Sequence, residues 1–76
     1  IVFIYPNPSN GIVNVRMKEN VNVKIYNQTG GLIYDNDVNV RDSERIEYFL
    51  SNLNMGIYII NVNGKSGNQT VKFLKY

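Results

Sequence analysis

The sequence predicts an all-β fold, and three features support this prediction. Alanine is absent, while Val, Ile, Tyr and Asn are abundant, a composition that favours strands over helices. Apolar and polar residues alternate along several short segments, which is the period of a strand with one buried face. Turn-forming Gly, Pro, Asn and Asp residues separate these segments about every ten residues. We therefore expect many short strands joined by tight turns.

The segment after Gly56 predicts the central strand. Residues 57–62 read IYIINV, which is apolar or aromatic apart from Asn61. The side chains alternate onto two faces, with Tyr58, Ile60 and Val62 on one and Ile57 and Ile59 on the other. A strand that is apolar on both faces is normally central in its sheet and covered on both sides. We expect both properties for this strand.

The N-terminal third of the chain predicts three strands. Residues 1–5 are an apolar strand that ends at Pro6, because proline has no N–H for a strand ladder. A turn at Gly11 leads into residues 12–17, and a polar turn then leads into residues 21–25. The inward side chains of the last two strands are predicted to be Val13, Val15, Met17, Val21, Val23 and Ile25.

The remainder of the chain predicts three further strands. Gly30 supplies a positive φ for a hairpin loop. The strand after it, residues 32–40, is expected to be interrupted by a bulge or turn at the acidic run of residues 35–37. Residues 45–50 and 69–75 alternate again. Seven strands with this spacing predict an immunoglobulin-like antiparallel β-sandwich, in one domain that spans the chain from residue 1 to residue 76.

The composition offers no evident catalytic site. The chain has no histidine and no cysteine, which removes the usual general base, the thiol nucleophile and most transition-metal ligands. Asp35 and Asp37 are candidate calcium ligands, although a structural turn is the preferred interpretation. The net charge of +2 requires no nucleic acid, and no apolar run reaches the ~20 residues of a membrane helix. We expect a non-catalytic interaction or addressing module without a cofactor.

Four motifs, in this order, resemble those of a known family. They are YPNPSNG at residues 5–11, VKIYNQTG at residues 23–30, LSNLNMGIYII at residues 50–60 and VKFLK at residues 71–75. Together they resemble the type A C-terminal sorting domains of the type IX (Por) secretion system of Bacteroidota. The resemblance covers essentially the whole chain.

The resemblance implies a seven-stranded immunoglobulin-like sandwich at the C-terminus of a larger secreted protein. Such a domain directs the cargo fused to its N-terminus from the periplasm through the outer-membrane translocon, with a shuttle protein as a further partner. A surface sortase then commonly removes the domain, and the cargo is released or anchored at the cell surface. The residues that match the family's signals, and that are expected to be recognised by the translocon, are Pro6, Asn7, Pro8, Gly30, Leu53, Gly56, Tyr58, Val71, Lys72 and Lys75.

The alternative is a carbohydrate- or protein-binding β-sandwich that accompanies a secreted enzyme. The six tyrosines offer rings for stacking, and a sugar-binding module would align exposed tyrosines along one face. A sorting domain must instead end its reading frame, whereas a binding module can stand at any position. The placement of the tyrosines in the fold therefore helps to separate the two.

Overall fold

The computed structural model describes residues 2–6, 8, 10–42 and 44–76. Its strands are β1 (Phe3–Tyr5), β2 (Ile12–Arg16), β3 (Val21–Asn27), β4 (Leu32–Val38), β5 (Arg45–Phe49), β6 (Gly56–Gly64) and β7 (Gly67–Lys75). Each predicted strand is present, with ends that differ from the prediction by a few residues. The all-β prediction is therefore confirmed.

The strands form two antiparallel sheets. One sheet has the order β1-β2-β5 and the other has the order β4-β3-β6-β7. Every neighbouring pair is antiparallel, and the inward faces of both sheets share one hydrophobic core. This arrangement is the predicted immunoglobulin-like sandwich.

The core consists of the alternate residues that the sequence pattern assigns to the inward faces. Its fully buried side chains include Val13, Val15 and Leu50 from the three-stranded layer, and Val23, Ile25, Ile60 and Phe73 from the four-stranded layer. Tyr34 of β4 joins the two layers at one edge. Its ring centroid lies 5.3 Å from that of Tyr48, and its hydroxyl donates a hydrogen bond to the Phe49 carbonyl at 2.9 Å.

Strand β6 has the central position that was predicted, but only one of its faces is covered. Tyr58, Ile60 and Val62 are buried against the core, whereas Ile57 and Ile59 lie half-buried on the outer face. The expectation of cover on both sides is wrong, because a two-layer sandwich leaves the outer face of each sheet toward solvent.

Strand β4 also differs from its prediction. The strand extends from Leu32 to Val38, and its irregularity lies at Ile33 rather than at the acidic run. Ile25 pairs with Tyr34 and Tyr26 with Leu32, so the register shift leaves Ile33 as the extra residue of β4. The carboxylates of Asp35 and Asp37 both accept hydrogen bonds from the Asn22 side-chain amide, each at 2.9 Å. These contacts hold the two aspartates on the outer face of the sheet, and the pairing with β3 is regular through residues 35–37.

Candidate functional site

Four segments that carry the sequence motifs meet at one end of the sandwich. Their described residues are 6, 8, 10 and 11, then 28–31 and 50–55, together with the C-terminal end of β7, and we call this region the motif end. The Leu50 N–H donates to the Gly11 carbonyl at 2.6 Å, which joins the first and third segments. Asn27 pairs with Tyr58, and Gly56 pairs with Lys75, which brings the hairpin loop and the end of β7 beside them.

The loop of residues 50–55 is shaped by three of the predicted site residues. Leu53 packs against the core, and its N–H donates to the Leu50 carbonyl at 3.0 Å. Tyr58 is buried, and its hydroxyl donates to the Asn54 carbonyl at 2.6 Å. Gly56 has a φ of +149°, and a Cβ there would meet nothing within 4 Å. The backbone conformation, rather than lack of space, therefore favours glycine.

The hairpin loop is organised by Asn27, which is not among the residues predicted for the site. Its Oδ1 accepts hydrogen bonds from the Thr29 N–H at 3.1 Å, from the Thr29 hydroxyl at 2.9 Å and from the Gly31 N–H at 2.7 Å. Gly30 has a φ of +92° and donates its N–H to the Asn27 carbonyl at 3.0 Å. An Asn at the start of a Gly-containing turn was the available signal, since Asn side chains commonly cap such turns.

A shallow pocket lies between the hairpin loop and the loop of residues 50–55. Its walls include Gln28, Thr29, Ile33, Asn54 and Met55. Met55 is 78% exposed, although it follows directly after a loop segment that is anchored to the core. The predicted site residues in this region thus set the shape of the loops, and neighbouring side chains form much of the exposed surface.

The predicted residues of β7 do not form one patch. Val71 is half-buried in the middle of the strand, opposite Ile60. Lys72 is exposed on the outer face, whereas Lys75 is only 6% exposed on the inward side. Residues three apart in a strand lie on opposite faces, so the structure does not bring the two lysines together.

The predicted prolines lie at the exposed surface of the motif end. Pro6 directly follows β1, the Tyr5–Pro6 peptide bond is cis, and Pro8 lies further along the same loop. Asn7, the remaining predicted residue of this motif, lies outside the described residues.

Val2 marks the opposite end of the sandwich, which we call the Val2 end. The Gln69 side chain accepts a hydrogen bond from the Val2 N–H at 3.3 Å and donates one to the Val2 carbonyl at 3.2 Å. Glu19 accepts hydrogen bonds from the hydroxyl of Ser66 and, at 2.8 Å, from its N–H. These bonds lower the pKa of the exposed Glu19 carboxyl below its ordinary value.

Comparison with known proteins identifies the family. A family model described as a secretion system C-terminal sorting domain matches residues 3–76. The chain belongs to this family, the C-terminal sorting domains of type IX secretion. Membership implies a secreted or cell-surface protein that interacts with the secretion machinery. No curated protein matches the chain.

Structural comparison agrees with the fold of the sorting domain. A DUF3244-family protein from Bacteroides vulgatus, with an immunoglobulin-like β-sandwich fold, superposes with a TM-score of 0.82. The alignment covers 99% of this chain and 84% of the other chain, at 18% sequence identity. At this identity the similarity supports the fold alone.

The tyrosines of the sorting domain do not line one face. Tyr5 lies on the outer side of the three-stranded sheet, and Tyr26 lies on the outer side of the four-stranded sheet. Tyr34 and Tyr48 face each other between the sheets, and Tyr58 is buried. Tyr76 follows β7 and is 61% exposed. Because the other five lie on different faces or are buried, the described residues do not form the row of exposed tyrosines that would characterise the sugar-binding alternative.

The remaining candidate sites of the sorting domain can be placed as well. Asp35 and Asp37 lie in strand β4 rather than in a turn. Among the described residues, no group of three or more His, Cys, Asp or Glu side chains is arranged to hold a metal ion. The described part of the chain also contains no helix with the length and apolar character needed to cross a membrane.

Proposed function

We propose that this domain is the signal that carries a cargo, fused ahead of it, through the outer membrane by the type IX translocon. The cargo would reach the translocon from the periplasm, aided by the shuttle protein, and a surface sortase would then remove the domain for release or anchoring. The domain itself acts without catalysis. The family match over residues 3–76 carries this proposal.

The arrangement of the two ends supports the proposal. The motif segments gather at one end, while Val2 is held by Gln69 at the other end, along a molecule whose longest extent is 32 Å. A cargo joined ahead of Val2 would therefore leave the sandwich away from the motif end. That geometry keeps the motif end accessible to the translocon while the cargo is attached.

The motif end, together with the adjoining part of β7, is the proposed recognition site. Pro6, Asn7, Pro8, Gly30, Leu53, Gly56, Tyr58, Val71, Lys72 and Lys75 remain the proposed recognition residues. Their roles differ: Leu53, Gly56 and Tyr58 fix the loop of residues 50–55, whereas Pro6, Pro8 and Gly30 are exposed. Direct contact with the translocon is therefore expected chiefly from the exposed members and from neighbours such as Met55.

The test is export of a fluorescent carrier that has an inner-membrane signal peptide at its start and this chain at its end. The host has a working type IX system, and a translocon-deficient strain serves as the comparison. Carrier outside the cell only in the competent strain would support the sorting function. Carrier retained in the periplasm of both strains, with the domain folded, would refute it and direct attention to glycan and protein binding.

A pair of variants tests the motif end without removing the core. Deleting residues 71–76 would also remove the buried Phe73, so point changes are preferable. We expect Pro8→Ser combined with Met55→Ser to reduce export, because both side chains are exposed at the motif end. Lys65→Ser is the matched control, since Lys65 is exposed at the Val2 end. Equal export of both variants would refute the placement of the recognition site.

A further inference from the structure

The outer face of the four-stranded sheet is half apolar and half polar. Cross-strand pairing places Leu32, Tyr26, Ile59 and Lys72 in one row, with Ile57 and Leu74 in the next row toward the motif end. We call these six residues the outer apolar face. Leu32 is 53% exposed and Leu74 is 43% exposed. The described residues form only two layers, and neither layer covers this face.

The polar half of the same sheet face is satisfied by its own hydrogen bonds. Asn22 donates to Asp35 and Asp37, while Lys24 donates to Asn22 at 2.8 Å. The Asn61 amide donates to the Asn68 and Thr70 side chains, each at 2.9 Å. Because these groups are paired with one another, the polar half suits contact with water. The apolar half has no comparable reason to face water.

The sequence pattern of β6 supports the same distinction. Ile57 and Ile59 make this strand apolar on its outer side as well as its inner side, a pattern typical of a strand that is covered on both faces. The sandwich supplies the inner cover only. A strand of this composition is therefore suited to a second layer that comes from another molecule.

Position and charge indicate what that layer is. The outer apolar face is continuous with the motif end, because Ile57 follows Gly56 and Leu74 precedes Lys75. Its only charged side chain is Lys72, while the acids of the sheet face, Asp35 and Asp37, lie in the polar half. A complementary partner would present apolar side chains around a carboxylate positioned opposite Lys72.

We propose that the outer apolar face docks onto a protein of the secretion machinery that presents an apolar surface with a carboxylate opposite Lys72. This inference rests on the proposed sorting function and adds to it a second surface beside the motif end. Docking would cover the outer sides of Ile57 and Ile59 and complete the second cover that the β6 pattern predicts.

The export assay tests this inference with a matched pair on one strand. Ile59→Lys places a charge in the outer apolar face, and Asn61→Lys places the same charge two residues further along the same outer face. We expect Ile59→Lys to lower export at least about tenfold, the effect of losing one buried aliphatic contact, and Asn61→Lys to leave it within about twofold. Thermal melts of both purified variants show whether each remains folded.

Charge reversal provides a second test that does not disturb packing. Lys72 is exposed, so Lys72→Glu should fold normally. If Ile59→Lys does not fold, the export of Lys72→Glu tests docking of the outer apolar face. We expect Lys72→Glu to reduce export and Lys72→Arg to retain it. Export of folded Ile59→Lys and Lys72→Glu at the wild-type level would refute docking and leave the sorting function intact. Failure of the unmodified carrier to be exported would refute both.

Photo-crosslinking identifies the occupant of the face. Benzoylphenylalanine replaces Leu74 in one variant and Thr70 in its control, since both residues lie on the outer side of β7. We expect position 74, but not position 70, to crosslink to a translocon component in the competent strain. A crosslink to a second copy of the chain or to the carrier itself, equal crosslinking at both positions, or no crosslink would overturn the proposal.

Discussion

The buried hydroxyl of Tyr48 predicts that the substitution Tyr48→Phe stabilises the fold. Tyr48 is 3% exposed, and its hydroxyl has no hydrogen-bond partner among the described residues. Burying an unsatisfied polar group costs about 1–3 kcal/mol. Tyr48→Phe removes this group and retains the ring that packs against Tyr34. We therefore expect the free energy of unfolding to rise by about 1 kcal/mol, and Tm to rise by about 4–8 °C for a domain of this size.

Tyr58→Phe is the matched control, with the opposite expected sign. Tyr58 is also buried, but its hydroxyl donates to the Asn54 carbonyl at 2.6 Å. Removing that donor should lower the free energy of unfolding by about 0.5–1.5 kcal/mol. Urea unfolding of the wild type and both variants at neutral pH compares the three. A Tyr48→Phe variant less stable than the wild type would refute the reasoning.

The alkaline pH dependence is a second test of the same site. Burial, with a smaller contribution from Tyr34, raises the pKa of Tyr48 from 10.0 to about 12. The folded protein holds this proton more tightly than the unfolded chain does. The contribution of this group to the free energy of unfolding is therefore fully present below pH 10.0 and is lost as the pH rises toward 12. The wild type should therefore lose stability relative to Tyr48→Phe by up to ~1.4 kcal/mol per pH unit across that interval. Parallel pH profiles for the two proteins would refute the assignment.

Two further predictions concern the Val2 end. Gln69→Ala removes both hydrogen bonds to Val2, so protease cleavage near the start of the chain should become faster while the core remains protected. Gln69→Glu retains only the acceptor, so its cleavage rate should lie between those of the wild type and Gln69→Ala. An unchanged cleavage rate in Gln69→Ala would contradict the role of Gln69 in holding Val2. The lowered pKa of Glu19 means that its contacts with Ser66 stabilise the fold above the ordinary carboxyl pKa of 4.5 and cease to do so as the pH falls through the lowered value. The stability difference between the wild type and Glu19→Gln should therefore disappear in acid. Ser66→Ala should weaken the dependence of stability on pH in this range, because it removes one of the hydrogen bonds to Glu19. A difference between the wild type and Glu19→Gln that persists in acid would contradict the prediction.

The strands were predictable because their pattern is local. Alternation such as that of Val21, Val23 and Ile25 depends only on which residues face the core, and punctuation by Gly and Pro sets the approximate strand ends. The outer exposure of Ile57 and Ile59 was not predictable in the same way. Their apolar character indicates a strand with two covered faces, but it does not tell whether the second cover belongs to the same chain.

The placement of the lysines shows a different limit of sequence reasoning. Lys72 and Lys75 stand close together in the sequence, and both match the family's terminal motif. Their spacing of three residues places them on opposite faces of a strand, and Lys75 is largely enclosed. The alternation rule was sufficient to separate them, whereas the enclosure of Lys75 depends on packing that the sequence does not encode locally.

The motif residues also show why the residues of a sequence signature need not be the residues that contact a partner. A position matches a signature when the fold requires a particular residue, as the φ of Gly56 requires glycine and the hydrogen bond to Asn54 requires the hydroxyl of Tyr58. Such residues act on a partner through the loop that they shape. Exposed neighbours such as Met55 are free of these local requirements, and their contribution to recognition depends on the partner's surface. Substitutions at Gly56 or Tyr58 should therefore change stability and recognition together, whereas substitutions at Met55 should change recognition alone.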